Sequence, residues 1–421
     1  MARLERIHYQ HFDATRNWRG LLFWRKSHKR PIRQLPQIFW KDGSPWDEVN
    51  VWALVKAKTP DLNGETVDRL MKHLARYANY LESEGKDWRH FPMRKEDRVL
   101  WLFRGYLIDQ RNKGFLAPST VTNCMLAVVA FYRFAQTHQL VGKGSPLWAD
   151  HTVVVPIHDS VGFERSILVL SSELSIPNKR RHGVQLEDNL EPLRAEHTIK
   201  LMTYMARNED DELTHMLSTG FFTGARISTV RTLTKNSLWT AREDPATPGL
   251  YKIAAGPGTG IETKFNVSGD LLIPKDVLSD LRAYAKSPRR LLREAKAKKS
   301  DRNLLFLTKT GKPYSVGTVN RLVQEMRKRA VKAGLFFMAN FTFHQSRATF
   351  GTWLTEVLLK AKVALGSALE FVKNAMFHKD ISMTLRYVKF YEESRMKRLA
   401  AKSFMIAFTG LTSRDWSQYP A

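Results

Sequence analysis

The 421-residue sequence has a single cysteine, Cys124, so no disulfide can form within the chain and a reducing compartment suits it. Cys124 lies beside the apolar Met125 and Leu126, the setting of a buried thiol rather than of a nucleophile. Long apolar runs are also missing. No stretch of about 18 residues could cross a bilayer, which sets an integral membrane protein aside. There is no lipidation signal, and the opening MARLERIHYQHFDATRNWRG has charges but no apolar h-region, so export is not expected. Acidic residues are scarce beside basic ones: 41 Asp and Glu against 67 Lys and Arg leave a formal charge of +26. With membranes set aside, that imbalance points to nucleic acid as the polyanionic partner, and a reducing compartment without export suits a cytoplasmic setting.

What is present describes a folded protein. Apolar residues make up 43% of the chain, enough for a core, and the length suits two domains with an additional arm. Residues 1–45 mix bases, aromatics and prolines (Trp24, Arg25, Lys26, Lys29, Arg30, Pro31, Arg33, Phe39, Trp40, Lys41) without a helical or strand period, and read as an arm. From Val67 the apolar positions Val67, Leu70, Leu74, Tyr77 and Leu81 recur at three and four residues until Gly85, which predicts a helix over 65–84. A second helix is predicted over 97–112. A third runs from Ser119 or Thr120, as N-cap, to Ala135, with Val121, Met125, Val128, Val129, Tyr132 and Phe134 on its apolar face. Residues 46–150 therefore form a helical domain and 151–190 a linker with some local structure. Residues 191–421 form a mostly helical domain with a small sheet from runs at Tyr251–Ala255 and Leu271–Pro274. The fold class is mainly α with a small β-sheet.

Four segments of the C-terminal domain carry the residue types that phosphodiester chemistry needs. In FFTGARISTVRTL, Gly224 makes a turn and Arg226 opens a helix, where a guanidinium and a helix N-terminus both favour a phosphate. In IETKFNVSGDLLIP, Lys264 stands near the tip of a hairpin, within reach of protonating a leaving oxygen; Lys252 is its rival. In FTFHQSRATFGTWLTEVLL, His344 and Arg347 are three residues apart on one helical face, so both can reach one phosphate. In NAMFHKDISMTLRYVKFY, His378 lies in a break between helices, Asp380 or Ser382 can cap the next helix, and Tyr387 follows His378 by nine residues. A phenol titrates near pH ~10, so it becomes a nucleophile only where cations stabilise the phenolate or a base takes its proton. Read alone, each of these residues is ordinary: surface arginines, a turn lysine, a packing tyrosine. Tyr391, four residues after Tyr387, competes with it.

Taken in order, Arg, Lys, His-x-x-Arg, His and Tyr resemble the tyrosine recombinase, or phage integrase, family over roughly residues 46–410. TGARIS is similar to that family's TGLR-type motif, HQSR to its H-x-x-R box, and FHKDISMTLRY to the stretch with its second His and its nucleophile. The helical region 46–142 resembles the family's core-binding domain. The resemblance implies a site-specific recombinase or integrase that serves a mobile element, cleaving and rejoining DNA through a 3′-phosphotyrosine on Tyr387 without metal, ATP or other cofactor. Arg226, Arg347, His344 and His378 would surround the phosphate and Lys264 would protonate the 5′ oxygen. It also implies double-stranded DNA and a homotetrameric synapse as partners, with room for an accessory DNA-bending protein. Phe404, Met405, Ile406 and Phe408 in the tail could dock on a neighbouring subunit or close their own domain. The basic stretches Arg282–Arg302 and Arg321–Lys332 are candidate phosphate contacts. Four positions depart from the family pattern: Thr229 stands where an acidic residue is common, Ala348 where His is frequent, and Met376 and Phe377 where Leu-Gly is usual. A type IB topoisomerase, or a non-catalytic DNA-binding regulator on the same fold, are the competing readings.

Overall fold

The structure, a computed structural model, describes residues 1–16, 19–59, 62, 64–142, 144–158, 164–178, 186 and 190–408. The chain divides into two compact units, residues 1–157 with 166–182 and residues 158–165 with 183–421.

The first unit begins with four strands: β1 (Arg3–Tyr9), β2 (Phe12–Arg16), β3 (Leu22–Lys26) and β4 (Ile32–Phe39). β1 pairs antiparallel with β4, and β2 with β3 as a separate hairpin. Strands thus occupy the stretch that reads as an aperiodic arm. Sequence alternation is weak here because β2 and β3 are exposed almost throughout, so neither strand has a buried face to mark. β4 buries Leu35 and Ile38, and Asn50 holds it by accepting from the Ile38 N–H at 2.7 Å and donating to its carbonyl at 3.0 Å.

Helices α1 (Asp47–Lys58), α2 (Gly64–Ser83), α3 (Val99–Asn112) and α4 (Pro118–Thr137) follow. The last three answer the apolar periods of the sequence. α4 is capped by Ala117 rather than by Ser119 or Thr120, because Pro118 takes the first helical position, where a missing N–H costs nothing. Its face of Val121, Met125, Val128, Phe131 and Tyr132 is fully buried, so this helix serves the core. Trp46, Trp52, Tyr77 and Phe103 join it there, and the hydroxyls of Tyr77 and Tyr132 bond each other at 2.7 Å. Within the stretch expected as a linker, β5 (Asp150–His158) pairs with β6 (Glu164–Ser172).

The second unit contains α5 (Ala195–Asn208), α6 (Asp211–Thr223), α7 (Ile227–Arg231), α8 (Lys235–Trp239), β7 (Arg242–Glu243), β8 (Leu250–Ala255), β9 (Gly269–Pro274), α9 (Lys275–Lys286), α10 (Pro288–Lys296), α11 (Val316–Lys332), α12 (Phe343–Lys360), α13 (Leu365–Ala375) and α14 (Ile381–Phe408). The sheet is antiparallel in the order β7-β8-β9, with Tyr251 opposite Ile273 and Lys252 opposite Leu272. One core of α5, α6, α9 and α11 with the inner face of the sheet buries Leu201, Leu217, Ile253, Ile273 and Leu281. A smaller cluster joins Ala348, Val372, Met376 and Tyr387.

The basic run Arg282–Arg302 is divided: Arg290 and Arg293 are buried, whereas Lys286, Lys296, Lys298, Lys299 and Arg302 are exposed. Arg290 is fully buried and donates to the carbonyls of Arg302, Leu304 and Leu305, while Arg293 donates to the Leu307 carbonyl. Arg289 and Arg293 both pair with the buried Glu212. These arginines close backbone carbonyls that a loop leaves open and neutralise a buried carboxylate. The side chains of Phe404, Met405, Ile406 and Phe408 lie outside the described residues.

Candidate active site

The Arg226 segment is shaped by a helix stop. α6 ends at Gly224 in the left-handed conformation, φ 66°, and two residues later Arg226 takes extended backbone as the N-cap of α7. Its carbonyl accepts from the Val230 N–H at 2.9 Å, and only 8% of its surface is exposed. The reading of Arg226 as the residue that opens a helix matches this geometry.

Arg347 lies in the first turns of α12, inside the domain. One terminal nitrogen donates to the Gly224 carbonyl at 2.7 Å and the other to the Met376 carbonyl at 2.7 Å. A single planar guanidinium therefore fixes two turns at once: Gly224 precedes Arg226 by two residues, and Met376 precedes His378 by two. His344, three residues before Arg347 on the same helix, is half-buried.

His378 sits in the break between α13 and α14, and is 2% exposed. Its Nδ1 is 2.9 Å from the Thr384 hydroxyl, and its ring stacks on Tyr387 at 5.9 Å between centroids and 21° between planes. Asp380 begins α14 by accepting from the Ser382 N–H at 3.0 Å, as its position before the helix suggests. Tyr387 is completely buried and Tyr391 half-buried; the stack on His378 belongs to Tyr387. The departure at Met376–Phe377 has a structural counterpart. Phe377 adopts φ 51°, where glycine is at home, and its ring packs on Gly269 of β9.

Lys264 stands in a short 3₁₀ turn between β8 and β9 and is exposed. That connection is tied to α7: Thr229 donates to the Glu262 carbonyl at 2.7 Å, Thr232 accepts from the Glu262 N–H at 2.9 Å, and Arg231 pairs with the Glu262 carboxylate. Thr229, unusual for the family at this place, thus has a defined task in holding the loop of Lys264 to the helix opened by Arg226. Lys252 lies on β8 and pairs with Asp244 at 3.1 Å, which occupies its ammonium with a neighbour.

The segments of Arg226, Arg347, His378 and Tyr387 are therefore joined by the contacts of one guanidinium and one ring stack, with His344 one turn from Arg347. Lys264 is joined to them through its loop. Sequence reasoning passed over Thr384, three residues before Tyr387 on α14 and so on the same helical face. It also passed over Gly351, whose signal was a lone glycine in the middle of a helical pattern. Among the described residues no group of three or more His, Cys, Asp or Glu is arranged to hold a metal ion. No helix of the described residues is long and apolar enough to cross a membrane.

Residues 192–394 match the phage integrase family. Among solved structures, a Tn1549 transposon integrase variant in complex with transposon right end DNA is similar in fold, with a TM-score of 0.50 at 16% identity, over 84% of this chain and 99% of that one. A lambda integrase dimer bound to a COC′ core site aligns at 13% identity with a TM-score of 0.47, over 81% of this chain and 76% of that one. No curated protein matches the sequence. The mainly helical fold with small antiparallel sheets is thus similar to that of the Tn1549 integrase.

Proposed function

We propose that this protein is a site-specific DNA recombinase that cleaves and rejoins strands through a 3′-phosphotyrosine on Tyr387, moving or excising a mobile element. The observation that carries the reading is the bridge of Arg347 between the Gly224 and Met376 carbonyls, which locks the Arg226 and His378 turns together, with Tyr387 stacked on His378. The integrase-family match and the DNA in the related structures support it.

In this mechanism the Tyr387 oxygen attacks the scissile phosphorus in line. The Oη–P bond forms, the P–O5′ bond breaks, and the phenolic proton passes to the His378 imidazole, whose Nδ1 is held by Thr384. Arg226, Arg347 and His344 stabilise charge on the non-bridging oxygens, and Lys264 gives its proton to the departing 5′ oxygen. The phosphotyrosine keeps the bond energy, so a 5′-hydroxyl from a partner strand can reverse the step without ATP or a metal. Since Tyr387 has no exposed surface, DNA engagement has to uncover it. Strand exchange between two duplexes calls for a synaptic homotetramer, with an accessory bending protein as a further partner. The domains assigned to these roles are the 1–45 arm, the 46–150 core-binding domain, the 151–190 linker and the 191–421 catalytic domain.

The test is covalent capture. The full chain is incubated with nicked suicide duplexes carrying a randomised core, in EDTA, and detergent-resistant adducts are recovered and sequenced to define the site. Wild type and Tyr391→Phe should form adducts and Tyr387→Phe should not. Adducts from Tyr387→Phe would show the wrong nucleophile, and no adduct from wild type would remove the enzymatic reading.

A further inference from the structure

Phe265 occupies an uncomfortable place beside the catalytic lysine assigned above. Its backbone is left-handed, φ 63° and ψ 22°, a conformation that bulky side chains rarely take, and Asn266 follows at φ 54°. The side chain does not recover this cost by burial, for 62% of it is exposed. A strained, exposed aromatic needs another reason to be there.

The contacts of its ring supply one. The Lys264 ammonium lies 5.1 Å from the ring centroid, and the Lys379 ammonium lies 5.9 Å from the same centroid. Lys379 is the chain neighbour of His378, at the turn that Arg347 holds through Met376. The ring is thus shared by the lysine of the β8–β9 loop and a lysine of the histidine turn. Two ammonium groups repel each other, whereas each is attracted to an aromatic quadrupole, so a ring between them lets both stay. Thr229 and Arg231 already anchor the base of the same loop through Glu262, two residues before Lys264. Without the ring, the Lys264 side chain has an anchored backbone but, among the described residues, no other recorded hydrogen bond or ion pair that limits where its Nζ goes.

We propose that Phe265 is a positioning residue: it ties the Lys264 loop to the His378 turn and holds the Lys264 ammonium where it can protonate the leaving 5′ oxygen. The inference rests on the recombinase reading and on the assignment of Lys264 as the proton donor.

A substrate that needs no proton donor tests it. Duplexes of the captured sequence are made with either oxygen or sulfur at the 5′ bridging position of the scissile phosphate. With sulfur, the Tyr387 Oη–P bond forms, the P–S bond breaks, and the thiolate leaves unprotonated. On the oxygen substrate, single-turnover cleavage should fall roughly tenfold in Phe265→Ala and on the order of 10²-fold in Lys264→Ala. On the sulfur substrate both variants should return to within about twofold of wild type, because the acid is no longer needed. Phe265→Gly, which relieves the left-handed strain, should be as slow as Phe265→Ala on oxygen and equally rescued, while Phe265→Tyr should keep the wild-type rate.

Wild-type rates for Phe265→Ala on oxygen, or a defect that persists on sulfur, would overturn the proposal. If wild type cleaves but Lys264→Ala is not rescued by sulfur, Lys264 is not the acid; the positioning role then falls and the recombinase reading survives. If wild type forms no adduct with either substrate, the recombinase reading itself falls.

Discussion

Gly351 lies against the ring of Tyr387: a Cβ at this position would stand 2.5 Å from Tyr387 Cε1 and 2.7 Å from the sulfur of Met376. The two helices α12 and α14 approach this closely only because α12 has no side chain there. Gly351→Ala should destabilise the protein by roughly 1–3 kcal/mol through overpacking, reduced by the helix propensity that alanine adds, about 1 kcal/mol. Urea unfolding measures the balance, and covalent capture should show slower adduct formation because the Tyr387 ring is displaced. A rise in the unfolding midpoint with unchanged adduct would mean that the ring is not confined by this contact.

Arg347→Lys keeps the charge and loses the plane. An ammonium is a point donor and cannot span the Gly224 and Met376 carbonyls in the way a guanidinium does. A buried carbonyl left open costs about 1–3 kcal/mol. The unfolding midpoint should fall by that order, and adduct formation should fall further than stability alone explains. Equal stability in wild type and variant would show that the bridge does not hold the two turns.

Glu212 makes the second unit acid-sensitive. Its burial alone would raise the carboxyl, but donation from Arg289, the charge of Arg293 and the Tyr284 hydroxyl outweigh that effect and hold it below its ordinary value. A depressed carboxylate contributes stability that is complete above its unfolded value, near pH 4.5, and is lost as pH falls through the folded one. Urea midpoints measured from pH 7 downward should therefore decline below that point. Glu212→Gln should start lower at neutral pH, by roughly 3 kcal/mol for a broken buried pair, and show a flatter decline. Parallel curves for the two proteins would assign the acid sensitivity elsewhere.

Cys124 offers a reporter for the first unit. Burial pushes its thiol up to about 12, and the protein around it is the helical core. A thiol-specific reagent at pH 8 should label it only as the unit unfolds, with a denaturant midpoint equal to that seen by far-UV circular dichroism. Rapid labelling in the native state would show that α4 opens locally.

The helices of both units were legible because each spends an apolar face on a core, and the period of that face survives in the sequence. α2, α3 and α4 are examples. The two main strands of the small sheet, β8 and β9, were legible from the short β-like runs Tyr251–Ala255 and Leu271–Pro274. The N-terminal strands were not, because β2 and β3 bury almost nothing. The basic run 282–302 divides in a way the sequence does not show, because a carbonyl or carboxylate waits inside for Arg290 and Arg293 while its lysines stay exposed.

By itself the sequence determined the helical class and the basic character, and it singled out Arg226, Lys264, His344, Arg347, His378 and Tyr387 as an ordered candidate set, since residue type and spacing are local properties. Only the tertiary structure decided that one guanidinium joins two turns more than a hundred residues apart in the chain, that Gly351 makes room for Tyr387, and that Thr229 moors the lysine loop. Those contacts depend on where α6, α7, α12 and α14 cross, and a crossing is set by the packing of whole faces, which no local pattern records.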